Sequence, residues 1–507
     1  VNAYTISISG TTPTISDATR LSSGSNGDYV FSTYDTNAQK SVAVYTNTSG
    51  YMGYYNVFAL GETNLTAQAF VGIADSAISA SAAGSIIVQG GTVTGVSSGT
   101  GVSKGTAVQY SASNLADIMA ADSVYDSTNN KVIVVYDGAG ASAGYGIVGT
   151  ISGTSVSYGS AVQYSGGNAR MSQVTYDSTN QRVVVAYSDA ANSGYLTAAV
   201  GTVSGTSISW GTPVVADSTT SDMYVGIDFD INAGKVLIIW KDDSTTYNYS
   251  IVGTVSGTSI SFGTKVAVDT TNGYQQLGGL TYDVNAQKHL FTRNRVGIGA
   301  DAYVGTISGT SVSWGSATSI SSTEYLYIFR GAYDPNAQKI AIVYRDASAS
   351  DFSSQVATIS GTSVSFGTRA VIDSTISPDF TGSYYDSSDQ TIVAFARATN
   401  YYGYIGTISG TSISWGAGQT LILDADFGYG LGSPSYDANA DAGLILFANA
   451  GGTAAESAVT TAGDLPLTVG TKYYVTTSGG FSSSADTPSV NAGLAISTTS
   501  LLLNGDS

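Results

Sequence analysis

The stretch TISGTSVSYG, residues 150–159, recurs with small changes down most of this chain. Its aromatic position is occupied in turn by Tyr158, Trp210, Phe262, Trp314, Phe366 and Trp415. The first five are spaced 52 residues apart, and the last follows after 49. A fixed period of about fifty residues is typical of arrays in which each repeat is one supersecondary unit that stacks on its neighbours. The period therefore predicts one large repeat body rather than several unrelated domains.

A second marker, an aromatic residue followed by Asp, alternates with the first. It occurs eight times, at Tyr34-Asp35, Tyr125-Asp126, Tyr176-Asp177, Phe229-Asp230, Tyr282-Asp283, Tyr333-Asp334, Tyr385-Asp386 and Tyr436-Asp437. The fullest form, YDxNAQK, spans 282–288 and 333–339 and places Asp and Asn between two alternating apolar runs. This pattern predicts a hairpin turn, because Asp and Asn side chains hydrogen-bond the backbone of the turn that they begin.

The unit 149–200 shows what each repeat contains. Its alternation predicts four strands, 146–152, 155–163, 171–176 and 182–187. Four short antiparallel strands per repeat of about fifty residues are typical of a β-propeller blade. We therefore predict an all-β protein, a β-propeller of four-stranded antiparallel blades, in which eight repeats form seven or eight blades. Eight complete marker sets favour eight.

Two stretches without the blade pattern divide the chain into segments. We expect an N-terminal propeller repeat in 1–60, the first half of a small split β domain in 61–97, seven propeller repeats in 98–460, and the second half of the small domain in 461–507. Ring closure would bring the two halves together, because it places early and late blades side by side. The chain opens on Val1, so we expect a processed product or a segment of a longer chain.

Composition narrows the function classes. Eighteen Lys and Arg face 36 Asp and Glu among 507 residues, giving a net charge of -18. Such a surface repels phosphate backbones, so we expect no nucleic-acid partner. The chain has no Cys, which excludes disulfides and thiolate metal sites. No apolar run approaches the roughly 18 residues that span a bilayer, so we expect no membrane insertion.

The two faces of the expected disc differ. Successive strands run in opposite directions, so the Ser-Gly-Thr turns and the aromatic-Asp turns emerge together on what we call the constant face. The loops on the other side, the variable face, differ in length and content from repeat to repeat. Binding residues usually lie on loops that vary over a fixed scaffold, which favours the variable face as the ligand site.

Five repeats pair an acid or amide with an aromatic on the variable face. Carbohydrate sites use flat aromatic rings beneath sugar C–H groups, and polar side chains for the hydroxyls. The candidate ligand-binding residues are Asp137 with Tyr145, Asp189 with Tyr195, Asp242 with Tyr247 and Tyr249, Asp346 with Phe352, and Asn400 with Tyr402. The alternative is that these aromatics cap blade edges while the acids keep the rim hydrated.

The repeat phrase and its YDxNAQK partner resemble the propeller repeats of tail-fibre and virion proteins from marine bacteriophages. Residues 64–74 (NLTAQAFVGIA), 467–475 (LTVGTKYYV) and 488–493 (PSVNAG) are similar to the small C-terminal domain that usually follows such repeats. In this chain seven repeats separate its two halves. The resemblance implies a structural or adhesive role with recognition of a cell-surface glycan, and it carries over no catalytic residue.

These observations predict a non-enzymatic structural and receptor-recognition protein at a virion surface or in the extracellular space. Its expected partners are a cell-surface glycan and either further copies of itself or other fibre subunits. The alternatives are a secreted bacterial adhesin or self-assembling extracellular sheath protein, and a propeller glycoside hydrolase.

Three residue groups bear on catalysis and metal binding. A hydrolase needs two carboxylates in one pocket, and an arginine group at Arg293, Arg295, Arg330 and Arg345 would suit a sialidase-like site. Solvated or turn-pairing arginines are the alternative. His289 is the only histidine, so we expect an ordinary strand residue. We expect no cofactor; calcium on the repeated aspartates is the one candidate, and turn capping explains those residues equally well.

Overall fold

The computed structural model describes residues 2–9, 12–20, 30–35, 40–47, 52–59, 73–74, 86–87, 92–94, 96–111, 121–138, 143–220, 223–242, 244–245, 247–270, 275–295, 299–321, 326–423, 432–449, 454–465, 467, 469–475, 481–485 and 491–503. The chain divides into two compact units. One comprises Val1–Thr100 and Asp464–Ser507, and the other is Gly101–Gly463. No helix in these described ranges is long and apolar enough to cross a membrane.

The described secondary structure is almost entirely β. The strands before the ring are β1 (Asn2–Ser9), β2 (Thr12–Arg20), β3 (Val30–Asp35), β4 (Lys40–Asn47), β5 (Met52–Ala59), β6 (Ile73–Ala74), β7 (Ile86–Ile87) and β8 (Thr92–Thr94). Those of the ring are β9 (Thr100–Lys104), β10 (Val108–Ser111), β11 (Ala121–Asp126), β12 (Lys131–Asp137), β13 (Ala143–Ser152), β14 (Ser155–Tyr158), β15 (Val162–Asp177), β16 (Arg182–Asp189), β17 (Tyr195–Ser204), β18 (Ser207–Trp210), β19 (Val214–Thr220), β20 (Met223–Asp230), β21 (Lys235–Lys241), β22 (Asn248–Ser256), β23 (Ser259–Phe262), β24 (Val266–Asp269), β25 (Gln275–Asp283), β26 (Lys288–Arg295), β27 (Gly299–Ser308), β28 (Ser311–Trp314), β29 (Thr318–Ser321), β30 (Leu326–Asp334), β31 (Lys339–Asp346), β32 (Asp351–Ser360), β33 (Ser363–Phe366), β34 (Ala370–Asp373), β35 (Phe380–Asp386), β36 (Thr391–Arg397), β37 (Tyr401–Ser409), β38 (Ser412–Trp415), β39 (Gln419–Ile422), β40 (Ser435–Asp437), β41 (Ala442–Ala448) and β42 (Ala455–Asp464). The strands after it are β43 (Lys472–Val475), β44 (Phe481–Ser482), β45 (Asn491–Ser497) and β46 (Ser500–Leu502), and a single 3-10 turn spans Ala190–Asn192.

Within the described part of Gly101–Gly463, seven antiparallel blades form a β-propeller. Blade 1 runs from β11 to the beginning of β15, blade 2 from the rest of β15 to β19, and blades 3 to 6 are β20–β24, β25–β29, β30–β34 and β35–β39. The first strand of each blade contacts the first strand of the next, and β40 of blade 7 contacts β11 of blade 1. The ring is therefore closed.

Blade 7 is completed from the other end of the unit. Its strands β40, β41 and β42 come from the C-terminal side, whereas β9 and β10 are added to β42 from the N-terminal side. Val108 pairs with Ser457, and the Gly105 amide donates to the Val459 carbonyl oxygen at 2.8 Å. Hydrogen bonds between strands far apart in sequence thus close the ring.

The predicted strands are present, with one correction. The expected strand 155–163 is divided into β14 and the beginning of β15, which pair with β13 one after the other. Each blade consequently has a short fifth strand. The sequence repeat is also offset from the blade, since a repeat contributes the outer strands of one blade and the inner strands of the next.

The second strand of each blade is the most buried element. In β12 every residue from Val132 to Val135 has no exposed side-chain surface. Val132 and Val134 pack in one cluster with Leu444 of blade 7, whereas Ile133 and Val135 pack in another with blade 2. These strands read as unbroken apolar runs because both of their faces lie in seams between blades.

The other unit contains the small split β domain. Its sheet has the order β44-β43-β45-β46-β8, so that β8 from the N-terminal segment pairs with β46 from the C-terminal one. Leu467, Tyr473 and Leu501 lie in its core. The described strands of the N-terminal repeat pair among themselves, β1 with β2 and β3 with β4 and β5. That repeat is not one of the seven blades in the ring.

Candidate functional site

The aspartates of the aromatic-Asp turns on the constant face are turn caps. Asp126, for example, accepts hydrogen bonds from the amides of Thr128 at 2.9 Å and Asn129 at 3.0 Å. The same capping occurs at Asp177, Asp230, Asp283, Asp334, Asp386 and Asp437. The eighth, Asp35, has a side chain outside the described residues. Among the described residues, no three His, Asp or Glu side chains group as metal ligands.

The tyrosines of the same pairs join neighbouring blades. The Tyr176 hydroxyl donates to Thr128 of the preceding blade at 2.6 Å, and Tyr436 donates to Asp386 at 2.9 Å. Across the closing seam, burial and the carboxylate of Asp437 raise the pKa of Tyr125 to about 12. The markers that repeat on the constant face therefore hold blades together, which directs the search for a ligand site to the variable face.

On the variable face, two candidate acids also cap turns. Asp242 is buried and accepts from the Ser244 amide at 2.8 Å and its hydroxyl at 2.6 Å. Burial alone would raise the pKa of Asp242, but these hydrogen bonds outweigh it and the pKa is lowered. Asp346 accepts from the amides of Ser348 at 3.0 Å and Ala349 at 3.1 Å. Both acids shape the loop beside the site rather than project from it.

The other two candidate acids differ from each other. Asp137 is buried and accepts a hydrogen bond from Ser172 at 2.5 Å, with the Tyr164 hydroxyl at 3.4 Å. Asp189 is half-buried, and burial raises its pKa although backbone amides of the following turn donate to it. It is the cross-strand partner of Tyr195. Of the proposed pairs, this one brings an accessible acid and an aromatic side by side.

One of the candidate aromatics is corrected by the structure. Phe352 has no exposed surface and packs against Tyr404, with ring centroids 5.6 Å apart. It cannot present a face to a ligand, because its strand turns that side chain into the seam between blades 5 and 6. The remaining candidate aromatics are half-buried and so keep part of each ring accessible: Tyr145, Tyr195, Tyr247, Tyr249 and Tyr402.

Tyr145 and Tyr402 each contact a neighbouring side chain of their own blade. Tyr145 stacks on Tyr136, with centroids 5.8 Å apart and planes at 24°. Tyr402 lies beside Asn400, whose amide nitrogen is 3.1 Å from the phenol oxygen. Neighbouring side chains thus orient both rings. The predicted pairing of Asn400 with Tyr402 is a direct contact.

A basic residue that the sequence did not single out completes the site on blade 3. The Lys265 ammonium lies 3.0 Å from Asp217 of blade 2, 4.0 Å from Asp242 and 5.0 Å from the centre of the Tyr249 ring. It stands just before the fifth strand, where blade 5 has Arg369, which is 3.0 Å from Asp346 and 2.6 Å from Asp351. The sequence did offer a signal for these two residues. A Lys or Arg stands three positions after the aromatic of the repeat phrase, Phe262 in one case and Phe366 in the other.

The arginine group does not form one cluster in the described residues. Arg293 is fully buried and pairs with Asp269 and Asp301. Arg345 lies in the field of Asp379, which Arg397 approaches to 3.3 Å. The side chains of Arg295 and Arg330 lie outside the described residues. Arg293 thus pairs with acids of blades 3 and 4, whereas the charge of Arg345 acts on Asp379 beside blade 6.

Comparisons with known proteins matched solved structures at low identity. No protein-family model and no curated protein matches the sequence. Among solved structures, the chain is similar to a lectin from Burkholderia pseudomallei at 9% identity, covering 68% of this chain and 94% of that one, with a TM-score of 0.49. It is also similar to a β-propeller domain from Myceliophteria thermophila at 7% identity, covering 68% and 98%, with a TM-score of 0.43. A periplasmic gluconolactonase of Pseudomonas aeruginosa matches at 10% identity, covering 61% and 87%, with a TM-score of 0.44.

Proposed function

We propose that this chain is a non-enzymatic structural and receptor-recognition protein of a phage tail fibre or virion surface, which binds cell-surface glycans through the variable face. The observation that supports this most is that the residues of the two faces have different roles. Repeated residues of the constant face are committed to turns and seams, whereas the variable face keeps half-buried tyrosines beside polar groups. Accessible rings on a rigid scaffold are the usual basis of sugar binding.

The best-defined subsite is on blade 3. Tyr247 and Tyr249 flank a loop that Asp242 holds in place, and Lys265 with Asp217 supplies polar groups at its edge. A sugar ring that stacks on an accessible tyrosine can hydrogen-bond through its hydroxyls to this ion pair. Lys265 faces two carboxylates, Asp217 and Asp242, so the subsite carries a net negative charge and favours a neutral sugar over an anionic one.

The non-enzymatic part of the proposal rests on how the acids are used. Asp242 and Asp346 accept hydrogen bonds from turn amides and pair with Lys265 and Arg369. A glycosidase needs one carboxylic acid with a raised pKa and a second carboxylate 5 to 10 Å away. The hydrogen bonds that lower the pKa of Asp242 keep that carboxylate ionised, so Asp242 is poorly suited to donating a proton. The alternative, a secreted adhesin or sheath protein, would bind through the same face. Detection of the chain in purified phage particles distinguishes the virion protein from this alternative.

The test is glycan-array binding by the whole chain, with Tyr247→Ala and Tyr195→Ala as variants. We expect saturable binding by the unchanged protein and a roughly five- to thirtyfold loss of affinity in one variant, because a stacked ring contributes about 1–2 kcal/mol. Tyr385→Phe on the constant face is the matched control and should bind normally. Absence of binding to any glycan would refute the proposal.

A further inference from the structure

At its end nearest the variable face, one of the seven seams departs from the others at two buried positions. On the second strand of blade 4, Arg293 takes the place that the other blades fill with Tyr136, Tyr187, Trp240, Tyr344, Ala396 and Phe447. On the third strand of blade 3, Asn248 takes the place of Gly144, Leu196, Ala300, Phe352, Tyr401 and Ala455. Both lie in the seam between blades 3 and 4. Polar replacement of two apolar core positions in a single seam needs a reason other than packing.

The two residues meet through Asp269. Asn248 is the cross-strand partner of Asp269, and paired residues on one face have Cβ atoms about 5 Å apart. Arg293 donates through Nη2 to Asp269 and to the Tyr303 hydroxyl at 2.5 Å, and Tyr303 in turn donates to Asp269 at 2.6 Å. Asp301 lies 3.5 Å from the guanidinium. The result is one polar group at the end of the seam nearest the variable face.

Several atoms of this group have no hydrogen-bond partner within the described residues. They are Nδ2 and Oδ1 of Asn248 and Nε and Nη1 of Arg293. Both residues are fully buried. Buried polar atoms in proteins are nearly always paired, and leaving one unpaired is costly, so four such atoms at one place indicate a group that a partner satisfies.

The chemistry of the unpaired atoms defines that partner. They comprise three donor groups and one acceptor, and the charge of Arg293 is already matched by Asp269 and Asp301. Hydroxyl groups both donate and accept, and they bring no charge that would need a counter-ion. We propose that the seam between blades 3 and 4 is a second sugar subsite, in which neighbouring hydroxyls of a neutral glycan residue bind Asn248 and Arg293. This rests on the proposed glycan-binding function.

Access is from the variable face. Asn248 begins the third strand of blade 3, and Asp269 ends its fifth, so both lie at that end of the seam. The side chain of Asp269 is 18% exposed while that of Arg293 is 0% exposed. Asp269 is therefore the part of this group that a ligand entering from the variable face meets first.

The experiment measures affinity and melting temperature together. The probe is the glycan that the unchanged protein binds best on the array, titrated calorimetrically along with its component monosaccharides. Asn248→Leu restores the residue of blade 2 and removes two unpaired atoms without breaking the ion pair, so we expect at least a tenfold loss of affinity with a higher melting temperature. Arg293→Lys keeps the charge but loses the Nε and Nη1 donors, and should weaken binding as well.

The matched control is Asn294→Ser, one seam further on. Asn294 is also buried with both amide atoms unpaired, and blade 2 has Ser188 at its position; this change should leave affinity unaltered. Normal binding by both Asn248→Leu and Arg293→Lys would overturn the second subsite while leaving the proposed function intact. A lower melting temperature in Asn248→Leu would also count against it, since Asn248 would then be a packing residue. Absence of glycan binding by the unchanged protein would overturn both proposals.

Discussion

His289 shows how a single residue can depart from its repeat at a cost. It occupies a second-strand position that other blades fill with Val132, Val183, Val236, Ile340 and Ile392. It is fully buried beside the ring of Tyr282, with centroids 4.9 Å apart, and neither imidazole nitrogen has a partner within the described residues. Burial lowers the pKa of His289 to about 3, so the folded protein holds it neutral.

We predict that His289→Ile stabilises the protein, most of all in acid. At neutral pH the change removes two unpaired polar atoms, worth about 1–3 kcal/mol. Because the folded pKa lies below the unfolded value of 6.5, the unchanged protein loses stability as the pH falls from 6.5 toward 3, and the variant lacks this loss. Urea unfolding of both proteins between pH 4 and pH 8 measures it; parallel stability profiles would contradict the prediction.

At the residue scale, the sequence predicted the roles of side chains that contact only residues close to them in the chain. In the seven aromatic-Asp pairs whose side chains are described, Asp caps its own turn, and Asx chemistry depends only on the next few residues. The variable-face candidates were less predictable, because their burial depends on the adjacent blade. Phe352 and Tyr402 begin neighbouring blades' third strands, yet strand geometry buries the first and leaves the second accessible. Lys265 was missed because its partner Asp217 is 48 residues away on another blade.

At the scale of elements, the repeat phrase is explained by contacts between adjacent blades. A Cβ on the glycine that follows the aromatic would collide with the carbonyl oxygen of the Thr in the next blade's Ser-Gly-Thr turn, as at Gly263 with Thr310. The aromatic reaches the preceding blade: Trp314 donates to Ser250 at 2.9 Å and Trp415 to Ser354 at 2.8 Å. The ten residues are therefore repeated because every seam needs the same fit.

This predicts a difference between two glycines of the same phrase. Gly263→Ala should destabilise the protein by about 1–3 kcal/mol, because the new methyl group overpacks the seam. At Gly416 no Ser-Gly-Thr turn follows, and the nearest atom to a Cβ is the Ile405 carbonyl oxygen at 3.7 Å. Gly416→Ala should therefore stay within about 0.5 kcal/mol of the unchanged protein. Thermal unfolding compares them, and equal effects would refute this account of the phrase.

The sequence predicted the strand boundaries that depend on the alternation and turn residues nearby. The strands around each hairpin follow from alternation and turn residues. The fifth strand did not, because the break after Tyr158 is caused by the approach of Gly159 to Thr206 in another blade. The closing strand was missed for a related reason. Residues 99–105, GTGVSKG, are a degenerate copy of the phrase with Lys104 in place of the aromatic, and only ring closure reveals their role.

At the scale of the whole molecule, tyrosine hydroxyls on the constant face join neighbouring blades of the seven-bladed ring at several seams. Tyr333 accepts from the Asn285 amide at 3.2 Å, and Tyr385 accepts from Asn336 at 3.0 Å, each across a seam. The sequence predicted a propeller but favoured eight blades over seven, since marker counting cannot tell whether a repeat enters the ring. That depends on which strands complete the last blade, and β9 and β10 do so.

The seam between blades 2 and 3 lacks the tyrosine of the aromatic-Asp pair. Blade 3 has Phe229 at the tyrosine position, so no hydroxyl reaches the turn that Asp177 caps in blade 2. The second strand begins with Lys in blades 1, 3, 4 and 5, whereas in blade 2 it begins with Arg182. Arg182 donates through Nε to the Gly257 carbonyl oxygen of blade 3 at 3.0 Å. The guanidinium thus supplies the cross-seam hydrogen bond that phenylalanine cannot.

We therefore predict that the hydroxyl added by Phe229→Tyr partly compensates for loss of the Arg182 hydrogen bond across this seam. In the unchanged background the added hydroxyl should stabilise the ring by about 1 kcal/mol, the net value of one hydrogen bond. Arg182→Lys alone should destabilise it, and the double variant should recover more stability than the sum of the single changes, because either contact suffices to join blades 2 and 3. Tyr333→Phe, which removes a contact at an intact seam, should lower stability and is the control. Strict additivity of the two changes in denaturant unfolding would show that the two contacts are independent, and would contradict the prediction that one compensates for the other.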